Sequence, residues 1–429
     1  MNYLIQNAEI IDPYSPFHRK KCTLFIEGGK ISKIAESHDF PTADFPDTKR
    51  IEAETLKLSV GWFDMRASLK DPGLEHKETL DTGIEAALQG GFTEIAILPN
   101  TLPVIQTKNA LNYVKKYNAS GLLQIHPIAA VTLETEGREL TEMLDLHHHG
   151  AVAFSDGSKP VWHSDILVKT LQYLQMFDGL LMNRSEDQLL TLYGVMNEGI
   201  NSTLLGMKGM PRLAEEMMIQ RDLSFLEYAG GKIHFSLISS AGSVALIRQA
   251  KQKGLQVTCD MATHQIAFND SALMEFDTNF KVNPPFRTEA DIEALWEGLE
   301  DGTIDVLVSD HNPQDEESKN LEFDLAEFGI SSLETSFALI HKHNLQHNRL
   351  SLEQLLEKFT YNPRKILKLP IPQIAEGQQA NLTLFDTEKV WVLEAAQMKS
   401  KSKNTPFLGQ VFRGKAIAVF NQGKYHEII

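Results

Sequence analysis

The chain has 429 residues, 42% of them hydrophobic, which is enough for a large buried core and suits one large α/β domain with a smaller attachment. A net charge of −16, without any basic cluster interleaved with aromatic residues, argues against nucleic acid and anionic membrane as partners. Cys22 and Cys259 are the only cysteines and lie far apart in apolar runs, which excludes a disulfide framework and a cysteine metal site. The first residues carry no basic and apolar export signal, so a cytoplasmic protein is expected.

Residues 3–12 and 23–35 alternate apolar with polar side chains and turn at Gly28-Gly29, a hairpin signal. In the stretch 58–103 an apolar run over 60–65 is broken at Asp71-Pro72-Gly73. Helical spacing follows over 75–89, Gly90-Gly91 stops it, and a second buried strand occupies 93–98. That pattern predicts a βαβ unit. Further strand-like runs fall at 123–131, 151–155, 179–183, 232–239, 255–261 and 304–309, most of them followed by helical spacing. With 62–67 and 93–98 they make eight βα units over about 300 residues, the signature of a TIM barrel. A doubly wound open sheet is the alternative, but no Gly-x-Gly-x-x-Gly follows an early strand. Short strands with glycine turns return at 381–385, 390–393 and 409–428.

In a barrel, chemistry sits at the carboxyl ends of the strands. Here those ends read Arg66-Ala67-Ser68, Ser155-Asp156-Gly157, Arg184-Ser185-Glu186-Asp187, Leu237-Ile238-Ser239 and Ser309-Asp310-His311. His147-His148-His149 precedes the fourth strand, at the end of the barrel away from the chemistry, and is read as surface.

The stretch 58–103 resembles the opening of the dihydroorotase family, within the amidohydrolase superfamily. Gly61, Asp64, Asp71-Pro72-Gly73, Lys77-Glu78, Gly90-Gly91-Phe92-Thr93 and Pro99-Asn100-Thr101 match the family pattern. Further matches run in order through Leu205-Gly206, Glu215-Glu216, Asn283-Pro284-Pro285-Phe286-Arg287, Glu327-Phe328-Gly329-Ile330 and Leu333-Glu334-Thr335. The resemblance implies an amidohydrolase-type barrel over residues 56–370, with a small β domain built from both chain ends, 1–55 and 371–429. It also implies a zinc site, yet its four histidine positions here hold Arg66, Ser68, Arg184 and Leu237. Asp156 matches a retained zinc ligand and Asp310 the aspartate that shuttles protons and contacts metal. Lys70 stands where the family has the arginine that grips the substrate carboxylate. Asn100 and Asn283 match substrate-binding positions and serve either that role or loop structure; His264 is likewise either structural or ligand-contacting.

A catalytic zinc needs about three protein ligands and a water, and arginine, always protonated, cannot ligate. The resemblance therefore implies a catalytically silent dihydroorotase-like protein of pyrimidine biosynthesis without a cofactor, acting as a structural partner of aspartate carbamoyltransferase in a homo- or hetero-oligomer. The competing reading is an active cyclic-amide hydrolase, converting dihydroorotate and water to N-carbamoyl-aspartate, with zinc in a reduced site. A third is a small-molecule binding module that keeps Asn100 and Asn283. Without metal, Asp156 and Asp310 need counter-ions, so Arg66 or Arg184 is expected within salt-bridge distance of one of them.

Overall fold

The computed structural model describes residues 2–119 and 121–428. Its centre is a parallel sheet of eight strands in chain order: β1 (Trp62–Ala67), β2 (Phe92–Ile97), β3 (Gln124–Ala129), β4 (Ala153–Phe154), β5 (Leu181–Arg184), β6 (Ile233–Ser236), β7 (Val257–Ala262) and β8 (Val306–Val308). Each strand hydrogen-bonds the next, and a parallel bridge between Ala67 and His311 brings the last strand back to the first. Ser309 tightens that seam, its amide donating to Asp64 Oδ1 at 3.1 Å. This is the expected TIM barrel.

The strands are apolar throughout because helices cover them outside and side chains fill them inside. The two-residue alternation survives within that run. Trp62, Phe92, Ile95, Ile97, Leu181 and Leu307 face the helical layer, whereas Phe63, Met65, Ala96, Met182, Val306 and Val308 fill the barrel. Helix starts follow their capping residues: Thr79 caps Leu80–Gln89 and Thr288 caps Glu289–Glu300, each in a reciprocal capping box.

The second sheet joins both chain ends. In spatial order it runs Lys424–Glu427, Val411–Asn421, Leu382–Val392, Leu56–Val60, Tyr3–Ile10, Lys21–Glu27 and Lys30–Glu36, with Lys49–Ile51 beside Tyr3–Ile10. Gly28 and Gly29, at φ +57° and +80°, make the turn of the expected hairpin. Leu56–Val60, assigned to the barrel by a division at residue 56, hydrogen-bonds in this sheet instead, pairing antiparallel with Leu382–Asp386. Its apolar residues Leu56, Leu58 and Val60 belong to the small sheet's core, and the chain enters the barrel one residue later, after Gly61. Among the described residues no helix is long and apolar enough to cross a membrane.

Candidate functional site

Strand β1 carries an irregularity in its pairing with β2 between Asp64 and Ala67. Such a bulge re-aims side chains near a strand end, and here Arg66 turns into the barrel mouth. It is 2% exposed. Its Nε donates to Asp310 Oδ1 at 3.2 Å and its Nη2 to the Gly157 carbonyl at 3.3 Å, while Nη1 is buried with no hydrogen-bond partner. Asp310 continues the inward face of Val306 and Val308 at φ +48°. Burial raises its carboxyl above the ordinary range, and the charges of Arg66 and Arg184 pull against that. The expected pairing of an arginine with a vacated carboxylate is thus present on one side of the mouth.

The other side differs. Asp156 pairs with neither arginine: its Oδ1 accepts from the amides of Val131 and Thr132 at 3.0 and 2.9 Å, and its Oδ2 accepts from Thr132 Oγ1 at 2.6 Å. It lies beside the end of β3, whose amides satisfy it locally without a counter-ion. Burial still drives its pKa up to about 6. Arg184, for its part, turns to its near neighbour Glu186, with Nη2 2.8 Å from Oε2. The expected contact of one of these arginines with one of the two aspartates is therefore the single pair Arg66 with Asp310.

Arg66, Ser68, Lys70, Asn100, Arg184, Asn283 and Asp310 line one cavity of about 270 Å³, with Asn312, Gln314, Glu327 and Phe328 from the segment after β8. Asp156 and Leu237 stand outside it. Leu237 packs into the inner barrel core at φ +57°, its amide held by Asp260 Oδ1 at 2.7 Å. Left-handed backbone at a non-glycine residue costs about 1–3 kcal/mol and clusters at functional sites; Leu237 and Asp310 both adopt it at the mouth. Lys70 donates to Asn312 Oδ1 at 2.5 Å, and burial lowers its pKa to about 8. Asn100 spans two backbone groups, giving Nδ2 to the Asp156 carbonyl at 3.1 Å and taking the Ser158 amide at 2.9 Å. Asn283 donates to Glu186 at 3.2 Å. Both asparagines therefore hold loops while also facing the cavity.

His264 is fully buried and neither ring nitrogen has a hydrogen-bond partner; burial lowers its pKa to about 4, so the ring is neutral. It packs edge-on to Phe286 and does not line the cavity. His147 stacks on Phe177 and His149 hydrogen-bonds the Asp145 carbonyl, surface roles both. The sequence reading missed Glu186 as the partner of Arg184, and Asn312 and Glu327 as cavity walls. Each lies in or beside a matched motif, which was the available signal.

A family model described as Dihydro-orotase-like matches residues 57–243, and one described as Amidohydrolase family matches residues 211–425. The chain is 39% identical over 426 residues to a dihydroorotase of Syntrophus aciditrophicus, covering 99% of each. It is 38% identical over 424 residues to a dihydroorotase of Pelotomaculum thermopropionicum, covering 99% of this chain and 98% of that one. Among solved structures, L-hydantoinase (dihydropyrimidinase) from Arthrobacter aurescens superposes with a TM-score of 0.84 at 22% identity, over 99% of this chain and 95% of that one. The barrel with its chain-end sheet is of the amidohydrolase class. Within that class, the chain belongs to the dihydroorotase family.

Members of this superfamily usually hold a metal such as zinc, and the residues at this mouth do not suit one. Among the described residues no group of three or more His, Cys, Asp or Glu side chains is placed to hold a metal ion. Of the two retained carboxylates, Asp156 is saturated by Val131 and Thr132, and Asp310 accepts from a guanidinium. Arg66 and Arg184 add positive charge that repels a cation.

Proposed function

We propose that this chain is a catalytically silent member of the dihydroorotase family that acts in pyrimidine biosynthesis, in the cytoplasm, as a structural partner of aspartate carbamoyltransferase. The observation that carries the reading is the Arg66–Asp310 contact: a fixed cation bonded to the aspartate that would serve metal and proton transfer. The partner comes from the resemblance, since silent members of the family are known to hold that transferase in assembled complexes. A second reading, an active cyclic-amide hydrolase with an altered metal site, draws its support from 39% identity over 99% of the chain to a protein named dihydroorotase and from retention of Asp310.

Protein purified without chelator is expected to carry well below one zinc per chain and to leave dihydroorotate and carbamoyl aspartate unconverted. In gel filtration it should co-elute with aspartate carbamoyltransferase. Stoichiometric zinc with turnover abolished by Asp310→Ala would promote the hydrolase reading instead. Replacing Arg66, Ser68, Arg184 and Leu237 together by histidine should raise bound zinc toward one per chain, because it removes two cations and supplies four neutral imidazoles.

A further inference from the structure

The seam between the small sheet and the barrel holds a second cavity, of about 320 Å³, which shares no residue with the one at the mouth. Asp12, just past the strand Tyr3–Ile10, lines it from one side, and the helix Tyr361–Leu367 lines it from the other. That helix also sends Arg364 to Glu94 near the amino end of β2, so the cavity lies at the end of the barrel away from the mouth. Asp12 is 2% exposed, and a carboxylate so deeply placed is ordinarily paired. Here only one oxygen is satisfied. Oδ1 accepts from the Tyr14 amide at 3.0 Å and from the Tyr361 hydroxyl at 2.6 Å, whereas among the described residues no donor reaches Oδ2 and no cation lies within salt-bridge distance. The two tyrosines hold the carboxylate in place with one oxygen free.

Lys365, one helical turn beyond Tyr361, lines the same cavity. Its Nζ lies 5.3 and 5.9 Å from the ring centres of Tyr14 and Tyr361 and donates to Tyr14 Oη at 3.4 Å, which uses one of its three N–H bonds. Among the described residues it has no carboxylate within salt-bridge distance. Pro16, Ile371, Pro372 and Ile374 supply apolar wall, and the Tyr14 side chain is 60% exposed. A fixed anion, a separate cation and an apolar surface therefore share one space. Its volume falls within the range of about 300–1,000 Å³ typical of small-molecule sites.

We propose that this seam cavity binds an α-amino acid with an apolar side chain, its ammonium on Asp12 Oδ2, its carboxylate on Lys365 Nζ and its side chain against Tyr14 and the apolar wall. A zwitterion answers both unmatched charges at once, and each charge-assisted bond is about twice as strong as a neutral one. A ligand with a single charge answers only one. The inference goes beyond the silent-enzyme reading and is independent of it, since no residue of the mouth takes part.

The test is calorimetric titration of the full-length protein with L-phenylalanine, with phenylpropionate, which lacks the ammonium, with phenethylamine, which lacks the carboxylate, and with glycine, which lacks the side chain. Phenylalanine is expected to bind with a Kd below about 1 mM and at least about tenfold more tightly than the other three. It should also raise the midpoint of thermal unfolding, because the ligand binds only where sheet and barrel are joined. Asp12→Asn and Lys365→Gln should each weaken phenylalanine about tenfold or more. Lys365→Gln removes no ion pair at an exposed position and decides the matter even if Asp12→Asn does not fold. Absence of heat with phenylalanine up to about 10 mM, equal affinity for any of the three analogues, or affinity unchanged by Lys365→Gln would each overturn the proposal.

Discussion

Two buried ion pairs mark the two ends of the barrel, and they are built differently. Near the amino end of β2, Glu94 accepts from Arg364 Nη2 at 2.7 Å and Nε at 3.2 Å, from Asn381 at 2.9 Å and from His126 at 2.8 Å. Arg364 is itself fully buried and places Nη1 on the Thr360 carbonyl at 2.7 Å. Burial alone would raise the Glu94 pKa, but Arg364 and His126 outweigh it and hold it down at about 2. At the carboxyl end, Arg66 reaches Asp310 through one nitrogen and leaves another unmatched, and Asp310 is held above the ordinary carboxylate range. The closed pair locks a helix and the small sheet to the barrel. The open one lines the cavity at the barrel mouth and leaves one buried donor, Arg66 Nη1, unused.

The largest expected effect breaks the closed pair. Arg364→Ala leaves Glu94 buried beside an empty space and should destabilise the fold by about 3–5 kcal/mol in urea denaturation. A loss under about 1 kcal/mol would show that the two ends are not energetically distinct.

Acid should reveal the same pair next. Because the folded pKa of Glu94 lies below its ordinary 4.5, its stabilisation is fully present above about pH 4.5 and is lost as pH falls through about 2. The difference corresponds to about 3 kcal/mol. Glu94→Gln should be less stable at pH 6 and should flatten the decline between about pH 4.5 and 2, seen as the midpoint of thermal unfolding against pH.

A smaller loss is expected at the mouth. Arg66→Ala should cost about 1–3 kcal/mol, less than Arg364→Ala, because Asp310 can take up a proton and one donor of Arg66 was already unsatisfied. An equal or larger loss would make the mouth a structural lock rather than an open site. Smallest of all, replacing His147, His148 and His149 together by alanine should change stability by less than about 0.5 kcal/mol and leave zinc content unchanged, as exposed positions with surface contacts predict.

The amino-acid sequence determined the eight βα units of the barrel and their order, and its resemblance to the dihydroorotase family added the joining of both chain ends in one small β domain and the reading of Arg66, Ser68, Arg184 and Leu237 as histidine positions of the family. These are local facts of periodicity, turn residues and motif order, readable within a few tens of residues. It also carried the charge argument that some arginine must meet some aspartate, but not which. Arg184 found Glu186 two residues away, Asp156 found the amides at the end of β3, and Arg66 was left for Asp310, 244 residues distant. The closed pair was invisible beforehand for the same reason, with Glu94 and Arg364 separated by 270 residues and nothing local to mark either. Tertiary structure decided those partners because a buried charge takes the nearest group that can satisfy it, and nearness across a closed barrel is set by strand register and bulges rather than by position in the chain.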